Sequence, residues 1–140
     1  MTIPNGAGGY QFNDGNVGES LLYTQGAPSA KTSTTVTLTS DDLAGGLITS
    51  TQTGATTLTL PIVVTAGGVT GVNDAVSSAK VNSAFQFSII NLGSSSGDAT
   101  LSVGSGTGWT IVGSASVPIS TSATFVARKT SDTTWTAYRV

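Results

Sequence analysis

The sequence predicts an all-β protein whose body is a β-sandwich or jelly roll, with an extended N-terminal arm and one or two short helical turns. Its 140 residues include 24 Thr, 13 Val and 7 Ile, and β-branched side chains fit a pleated, half-buried surface better than a helix. Charged helix formers are rare, with one Glu, three Lys and two Arg. Turn residues separate about eight short apolar runs, which favours two sheets that cover each other over one open sheet.

The body, residues 34–140, begins with a strand and a helical turn. Thr34–Thr39 alternates, which places Val36 and Leu38 on one face. A turn of helix follows, with Ser40 as its predicted cap and Gly45 with Gly46 as its left-handed exit.

The later elements follow from alternation and from turn residues. Val72–Ala79 has apolar residues at helical spacing and predicts a short helix, whereas the path of the rest of residues 61–83 is not readable. Phe85, Phe87 and Ile89 share one face and are expected in the core. The last two strands face each other across Thr130–Asp132 as a hairpin. The predicted strands are Leu47–Ser50, Thr56–Leu60, Ala84–Asn91, Thr100–Val103, Trp109–Val112, Val117–Ile119, Ala123–Lys129 and Thr133–Val140.

Residues 1–33 differ from the body and predict an extended arm. Their apolar residues are irregularly spaced, with Gly, Asn, Asp, Ser and Pro between them. Leaving such side chains in water costs about 25 cal/mol per Å² of apolar surface, so we expect them to dock on the chain's own body or on a partner. The apolar residues of the arm are Ile3, Tyr10, Phe12, Val17, Leu21, Leu22 and Tyr23.

Length and charge restrict the class of function. A chain of this size has room for one core. Five basic and seven acidic residues give a formal net charge of −2, so we expect no nucleic acid partner. No apolar run approaches the roughly 20 residues that span a bilayer, and the N-terminus lacks a secretory signal, so we expect a soluble protein with no membrane partner.

The sequence offers little for catalysis. It contains no His and no Cys, which removes the usual general base, the thiolate nucleophile and the zinc-thiolate site. The adjacent Asp41 and Asp42 suit the positive end of a helix better than a shared substrate proton. Asn13–Glu19 departs from calcium-loop spacing, and the glycines of Gly104–Gly108 indicate a tight turn and not a phosphate loop. We expect no enzyme, no cofactor and no metal.

Three aromatic residues near the C-terminus leave one alternative open. Trp109, Trp135 and Tyr138 suit a sugar-stacking platform, although aromatics in such a body are more often core or interface residues. Trp135 and Tyr138 lie three apart on one strand and point to opposite faces, so at most one of them is core. A carbohydrate-binding adhesive module is therefore an alternative function.

Several segments along the chain match the motifs of one family of structural proteins. These segments are Ile3–Ser20, Gln25–Pro28, Thr37–Thr51, Thr57–Pro61, Phe85–Gly93, Gly106–Ser114 and Thr124–Val140. Together they resemble the small head decoration proteins, or capsid cement proteins, of tailed bacteriophages. The resemblance covers most of the chain and depends on structural motifs, and related modules also occur in phage tails and fibres.

The resemblance implies a non-enzymatic virion protein on the outer capsid surface, made in the cytoplasm of a bacterial host. Such a protein ties neighbouring major capsid protein subunits together, often as a trimer. A phage tail or fibre subunit is a further alternative. An arm with apolar anchors suits docking in a groove with strand addition, and the expected capsid-binding residues are Ile3, Tyr10, Phe12, Leu21, Leu22 and Tyr23.

Overall fold

The computed structural model describes residues 24–94 and 97–140, which are rich in β-strand and contain two short helices. The helices are α1 (Ser40–Gly45) and α2 (Val72–Ala75). The strands are β1 (Ser29–Lys31), β2 (Thr35–Thr37), β3 (Leu47–Ser50), β4 (Thr56–Thr59), β5 (Ala84–Asn91), β6 (Ala99–Ser102), β7 (Trp109–Val112), β8 (Ser116–Val117), β9 (Ser122–Ser131) and β10 (Thr134–Arg139). The β-rich fold class is confirmed.

From β1 to β9, consecutive strands alternate between two sheets, and β10 stays in the sheet of β9. The six-stranded sheet has the order β1-β3-β5-β9-β10-β7, and the four-stranded sheet has the order β2-β4-β6-β8. Strands β1, β3 and β5 pair in parallel, and so do β2, β4 and β6. The chain therefore winds through three stacked coils, each with one strand in either sheet. A jelly roll is antiparallel, so the predicted jelly-roll connectivity is not confirmed.

The C-terminal strands combine antiparallel pairs with one parallel pair, between β7 and β10. Strand β9 pairs antiparallel with both β5 and β10, and the predicted hairpin is confirmed. Strand β8 ends at Val117 instead of continuing to Ile119, because Pro118 has no N–H to donate to a ladder. Gly106 and Gly108 adopt φ of 72° and 87°, which confirms the tight turn before β7.

Side chains from both sheets share a hydrophobic core. Leu58 and Leu101 are register partners in β4 and β6, and both are buried. From the other sheet, Phe87 stacks on Phe125 with ring centroids 5.3 Å apart. Of the three predicted core residues of β5, Phe87 and Ile89 are fully buried, whereas Phe85 is partly buried and packs against the same cluster.

The helical turns are close to the predicted ones, with two differences. The cap of α1 is Thr39 and not Ser40, because Thr39 and Asp42 form a reciprocal capping box. The hydroxyl of Ser40 instead donates to the carbonyl of Thr70 at 2.5 Å. Helix α2 ends at Ala75 and does not continue to Ala79, because Val76 leaves the helical region at φ −121° and ψ 57°.

Strand β1 falls inside the range predicted as arm. Ser29, Ala30 and Lys31 pair in parallel with Ile48, Thr49 and Ser50 of β3. This short segment therefore belongs to the six-stranded sheet, and it joins the body to the residues that precede it.

Candidate interaction surface

All six predicted anchor residues lie in residues 1–23, outside the described part of the chain. They are Ile3, Tyr10, Phe12, Leu21, Leu22 and Tyr23. The run Asn13–Glu19 lies there as well. The structure describes the surface at which this N-terminal segment joins the body, and apart from Tyr138 the sequence analysis did not single out the residues that form it.

The described chain begins beside a shallow hollow in the six-stranded sheet. Residues 24–28 are exposed, and the amide of Gln25 donates to the carbonyl of Gly45 at 2.7 Å. Gln25 lines a hollow of about 380 Å³ together with Gly46, Leu47, Gln86 and Ser88. Gln86 and Ser88 alternate in β5 with the buried Phe87 and Ile89, so they project away from the core. The N-terminal segment therefore joins the body on the side of this sheet that faces away from the core.

We call that side the outer sheet face. It is formed by side chains that alternate with core residues along β3, β5, β7, β9 and β10, and most of them are Thr, Ser or aliphatic. Arg128 alone carries a charge among these described side chains. The members are Leu47, Thr49, Gln86, Ser88, Ile90, Thr110, Val112, Thr124, Val126, Arg128, Thr136 and Tyr138.

A row of register partners crosses this face. Gln86 pairs with Val126, Val126 with Tyr138, and Tyr138 with Val112. Val126 and Tyr138 are partly exposed, and Val112 is 47% exposed. The row gives a largely apolar strip across four strands, which begins at the hollow beside Gln25.

Arg128 is held by neutral groups. Its guanidinium donates to Asn82 Oδ1 at 2.8 Å and to the hydroxyl of Tyr138 at 3.1 Å. The guanidinium also lies 5.8 Å from the centroid of the Tyr138 ring, within the range of a cation–π contact. It forms no ion pair with a residue of the described ranges, so the outer sheet face carries one positive charge without an acidic partner there.

A cluster around Asp42 fixes β1 to helix α1. Asp42 accepts hydrogen bonds from the Lys31 ammonium at 2.8 Å, from the Ser29 hydroxyl at 2.5 Å and from the Thr39 N–H at 2.8 Å. Burial raises the pKa of Asp42, but these three hydrogen bonds and the charge of Lys31 outweigh burial, so the pKa of Asp42 lies below its usual value. The point at which the N-terminal segment joins the sheet is thereby held in place.

Both tryptophan side chains belong to the core. Trp109 and Trp135 are 6% and 1% exposed. The indole N–H of Trp109 donates to the carbonyl of Pro61 at 2.8 Å, and that of Trp135 donates to Asn73 Oδ1 at 2.9 Å. Neither indole presents a free face to a sugar ring, whereas Tyr138 is partly exposed on the outer sheet face. The expectation that at most one of Trp135 and Tyr138 is core is confirmed.

Aliphatic side chains and unpaired strand edges are also exposed on the body. Strands β1 and β7 are the edges of the six-stranded sheet, and β2 and β8 are the edges of the four-stranded sheet. An edge strand presents backbone N–H and C=O groups to another chain. The exposed large aliphatic residues are Val64, Val69, Val81, Leu92, Val103, Val112 and Val140.

The acidic residues of the body serve turns and caps. Asp74 accepts a hydrogen bond from the Thr65 hydroxyl, and Asp98 accepts one from the Ser116 hydroxyl. Across residues 24–94 and 97–140, no three acidic, His or Cys side chains come together in an arrangement suited to a metal ion. In the same ranges, no helix has the length and apolar character needed to cross a membrane.

Comparisons of this chain with protein-family models, with curated protein sequences and with solved structures found no match. The functional interpretation therefore depends on the surface just described and on the sequence motifs.

Proposed function

We propose that this protein is a non-enzymatic virion protein that decorates the outer surface of a phage capsid and cements neighbouring subunits of the major capsid protein. The observation that carries the proposal is a charge-poor outer sheet face lying where an anchor-bearing N-terminal segment joins the body. Surfaces of this kind suit contact with other polypeptides, because burying uncharged side chains leaves few ions to desolvate. The motif resemblance to phage head decoration proteins supports the same conclusion.

The proposed contact uses the arm and the backbone. Apolar residues of the arm, among them Ile3, Tyr10 and Phe12, occupy pockets between capsid subunits, and the extended segment adds hydrogen bonds to an exposed strand of the shell. Each copy links two or more shell subunits and binds the assembled state in preference to free subunits. The assembled shell therefore gains stability by mass action.

The body is proposed to be a sandwich-like module that associates with sister chains, with a trimer as the favoured assembly. The description as sandwich-like is supported by two sheets whose side chains share one hydrophobic core. Only 9% of the residues are charged, and several large aliphatic side chains are exposed on the body. Contact between copies would cover part of that surface.

Deletion of residues 1–23 tests the proposed role of the arm. This end point is preferable to residue 30, because Ser29–Lys31 forms β1 and pairs with β3. We expect the truncated chain to remain folded and to lose co-sedimentation with purified capsid shells. The matched control is the full chain with Thr100→Ser, a change on the exposed side of β6. Full retention of the truncated chain on shells would defeat the proposed role of the arm.

A tail or fibre subunit is the second candidate, and the coiled topology favours it. Three parallel coils stack in register, and their first coil leaves β1 and β2 as open edges. Stacked repeats of this kind suit elongated assemblies in which one copy continues the next. Immunogold labelling of virions distinguishes the candidates, because a decoration protein labels the head and a fibre subunit labels the tail.

A further inference from the structure

The apolar residues of residues 1–23 fall into two groups. Leu21, Leu22 and Tyr23 directly precede the described chain, and we call them the proximal anchors. Ile3, Tyr10 and Phe12 lie farther from the body, and we call them the distal anchors. The run Asn13–Ser20, rich in Gly and polar residues, separates the two groups. The two groups therefore lie at different distances along the chain from the body.

The proximal anchors lie within reach of the outer sheet face. Gln25 is hydrogen-bonded to Gly45 at the edge of the hollow, and an extended chain spans about 3.5 Å per residue, so Tyr23 lies within about 7 Å of Gln25 and Leu21 within about 14 Å. Val126 is the register partner of Gln86 in that hollow, and neighbouring strands lie about 5 Å apart. The chain that separates the proximal anchors from Gln25 is therefore long enough for them to reach the apolar strip.

The chemistry of the face matches that of the segment. Leu47 lines the hollow, Ile90 and Val126 are partly exposed on the same outer sheet face, and the proximal anchors are themselves uncharged. The two charged residues of residues 1–23 are Asp14 and Glu19, and both are acidic. Arg128 is the one charge of the outer sheet face and has no acidic partner in the described ranges. The segment and the face are therefore complementary in polarity and in charge.

We infer that the proximal anchors dock on the outer sheet face of their own chain, around Leu47, Ile90 and Val126. The short connection through Thr24 favours the chain's own segment over a second copy, because it keeps the local concentration of the proximal anchors high at this face. The distal anchors then remain available for the capsid partner of the proposed function. The contact between the proximal anchors and the face does not depend on that function.

The chain contains no Cys, so a single introduced thiol measures how accessible the outer sheet face is to a labelling reagent. We would place Val126→Cys in the full chain and measure its rate of maleimide labelling. Combining this change with Leu21→Ser, Leu22→Ser and Tyr23→Ser should speed labelling by about tenfold, because the cover is lost. The matched control replaces the three distal anchors by Ser and should leave the rate unchanged.

Three results would overturn the inference. These results are a proximal variant that labels no faster than the parent, a distal variant that labels as fast as the proximal one, and a protection of the parent that disappears on dilution. The last result would assign the cover to a second copy. Thr100→Cys, on the exposed side of β6, should label at one rate in all three backgrounds, and the emission of the buried Trp109 and Trp135 reports that each variant is folded. Loss of shell binding by the distal variant tests the proposed function separately.

Discussion

Replacing Asp42 by Ala tests how firmly the start of the body is held. Asp42 accepts the N–H of Thr39 in the capping box, the hydroxyl of Ser29 and the ammonium of Lys31. Asp42→Ala removes all three interactions at once. It also leaves the Lys31 side chain, which is only 17% exposed, without its acidic partner.

The expected loss of stability is the combined effect of these contacts. Loss of the hydrogen bond from the Thr39 N–H costs about 1 kcal/mol, and loss of the hydrogen bond from the Ser29 hydroxyl costs about 1 kcal/mol. A partly buried, hydrogen-bonded ion pair contributes about 1 kcal/mol more, above the median of exposed pairs. The free energy of unfolding should therefore fall by about 3 kcal/mol, a large fraction of the stability of a domain of this size.

Urea unfolding followed by tryptophan emission measures this loss, because Trp109 and Trp135 are buried in the core. The matched control is Asp41→Ala. Asp41 is exposed in the same first turn of α1 and forms no ion pair with a described residue. It acts on the helix dipole alone, so its removal should cost about 0.5 kcal/mol. Equal losses of stability for the two variants, or a loss below about 1 kcal/mol for Asp42→Ala, would refute the conclusion that Asp42 holds β1 against α1.

Three further predictions concern the body. The pKa of Asp42 is lowered in the folded chain from 3.8, so its contribution is fully present above that value and is lost as the pH falls through the folded pKa. The stability difference between the parent and Asp42→Asn should be constant down to about pH 5 and shrink below about pH 4, and a constant difference throughout would contradict the pKa direction. Gly108→Ala places Cβ 2.4 Å from the Thr133 carbonyl at φ 87°, whereas Gly106→Ala at φ 72° meets nothing within 4 Å. In urea unfolding, the free energy of unfolding should fall by about 1 kcal/mol for Gly106→Ala and by at least about 2 kcal/mol more for Gly108→Ala. Equal losses would contradict this and would show that the turn rearranges to accommodate the added Cβ. Asn91→Ala leaves the buried N–H of Gly93 and the carbonyl of Val117 without their side-chain partner, which should cost about 3 kcal/mol; a loss equal to that of Leu92→Ala, an exposed neighbour, would contradict this.

Local pattern was enough to place most of the strands. Strands β3, β5 and β7 have the predicted bounds, because alternating side chains and flanking turn residues are properties of short segments. The hairpin of β9 and β10 was likewise predictable, since its strands are adjacent in the chain. Strand β1 escaped prediction because its three residues, Ser29–Lys31, contain no large apolar side chain.

The parallel coils were not predictable from local pattern. Val36, Leu58 and Leu101 are register partners in three successive coils, but α2 and its loops separate the last two by many more residues than the first two. The repeat therefore has no fixed period in the sequence. Which strands become neighbours depends on long-range pairing, and alternation alone does not determine it.

The candidate surface was only partly predictable, because side-chain alternation is a local property and strand pairing is a long-range one. Alternation with Phe87 and Ile89 indicates that Gln86 and Ser88 point away from the core. The pairing of β5 with β9 brings Val126 beside Gln86 and forms the strip, and this pairing is a property of the fold. The anchors were recognised because apolar residues are conspicuous in a segment rich in Gly and Asn.

Electron microscopy of the native particle tests the central claim most directly, because it locates the protein and counts its copies together. We expect the body on the outer face of the head shell in many copies, with Ile3, Tyr10 and Phe12 enclosed between neighbouring capsid subunits. A particle whose head lacks the protein, or one in which these three side chains face solvent, would contradict the account.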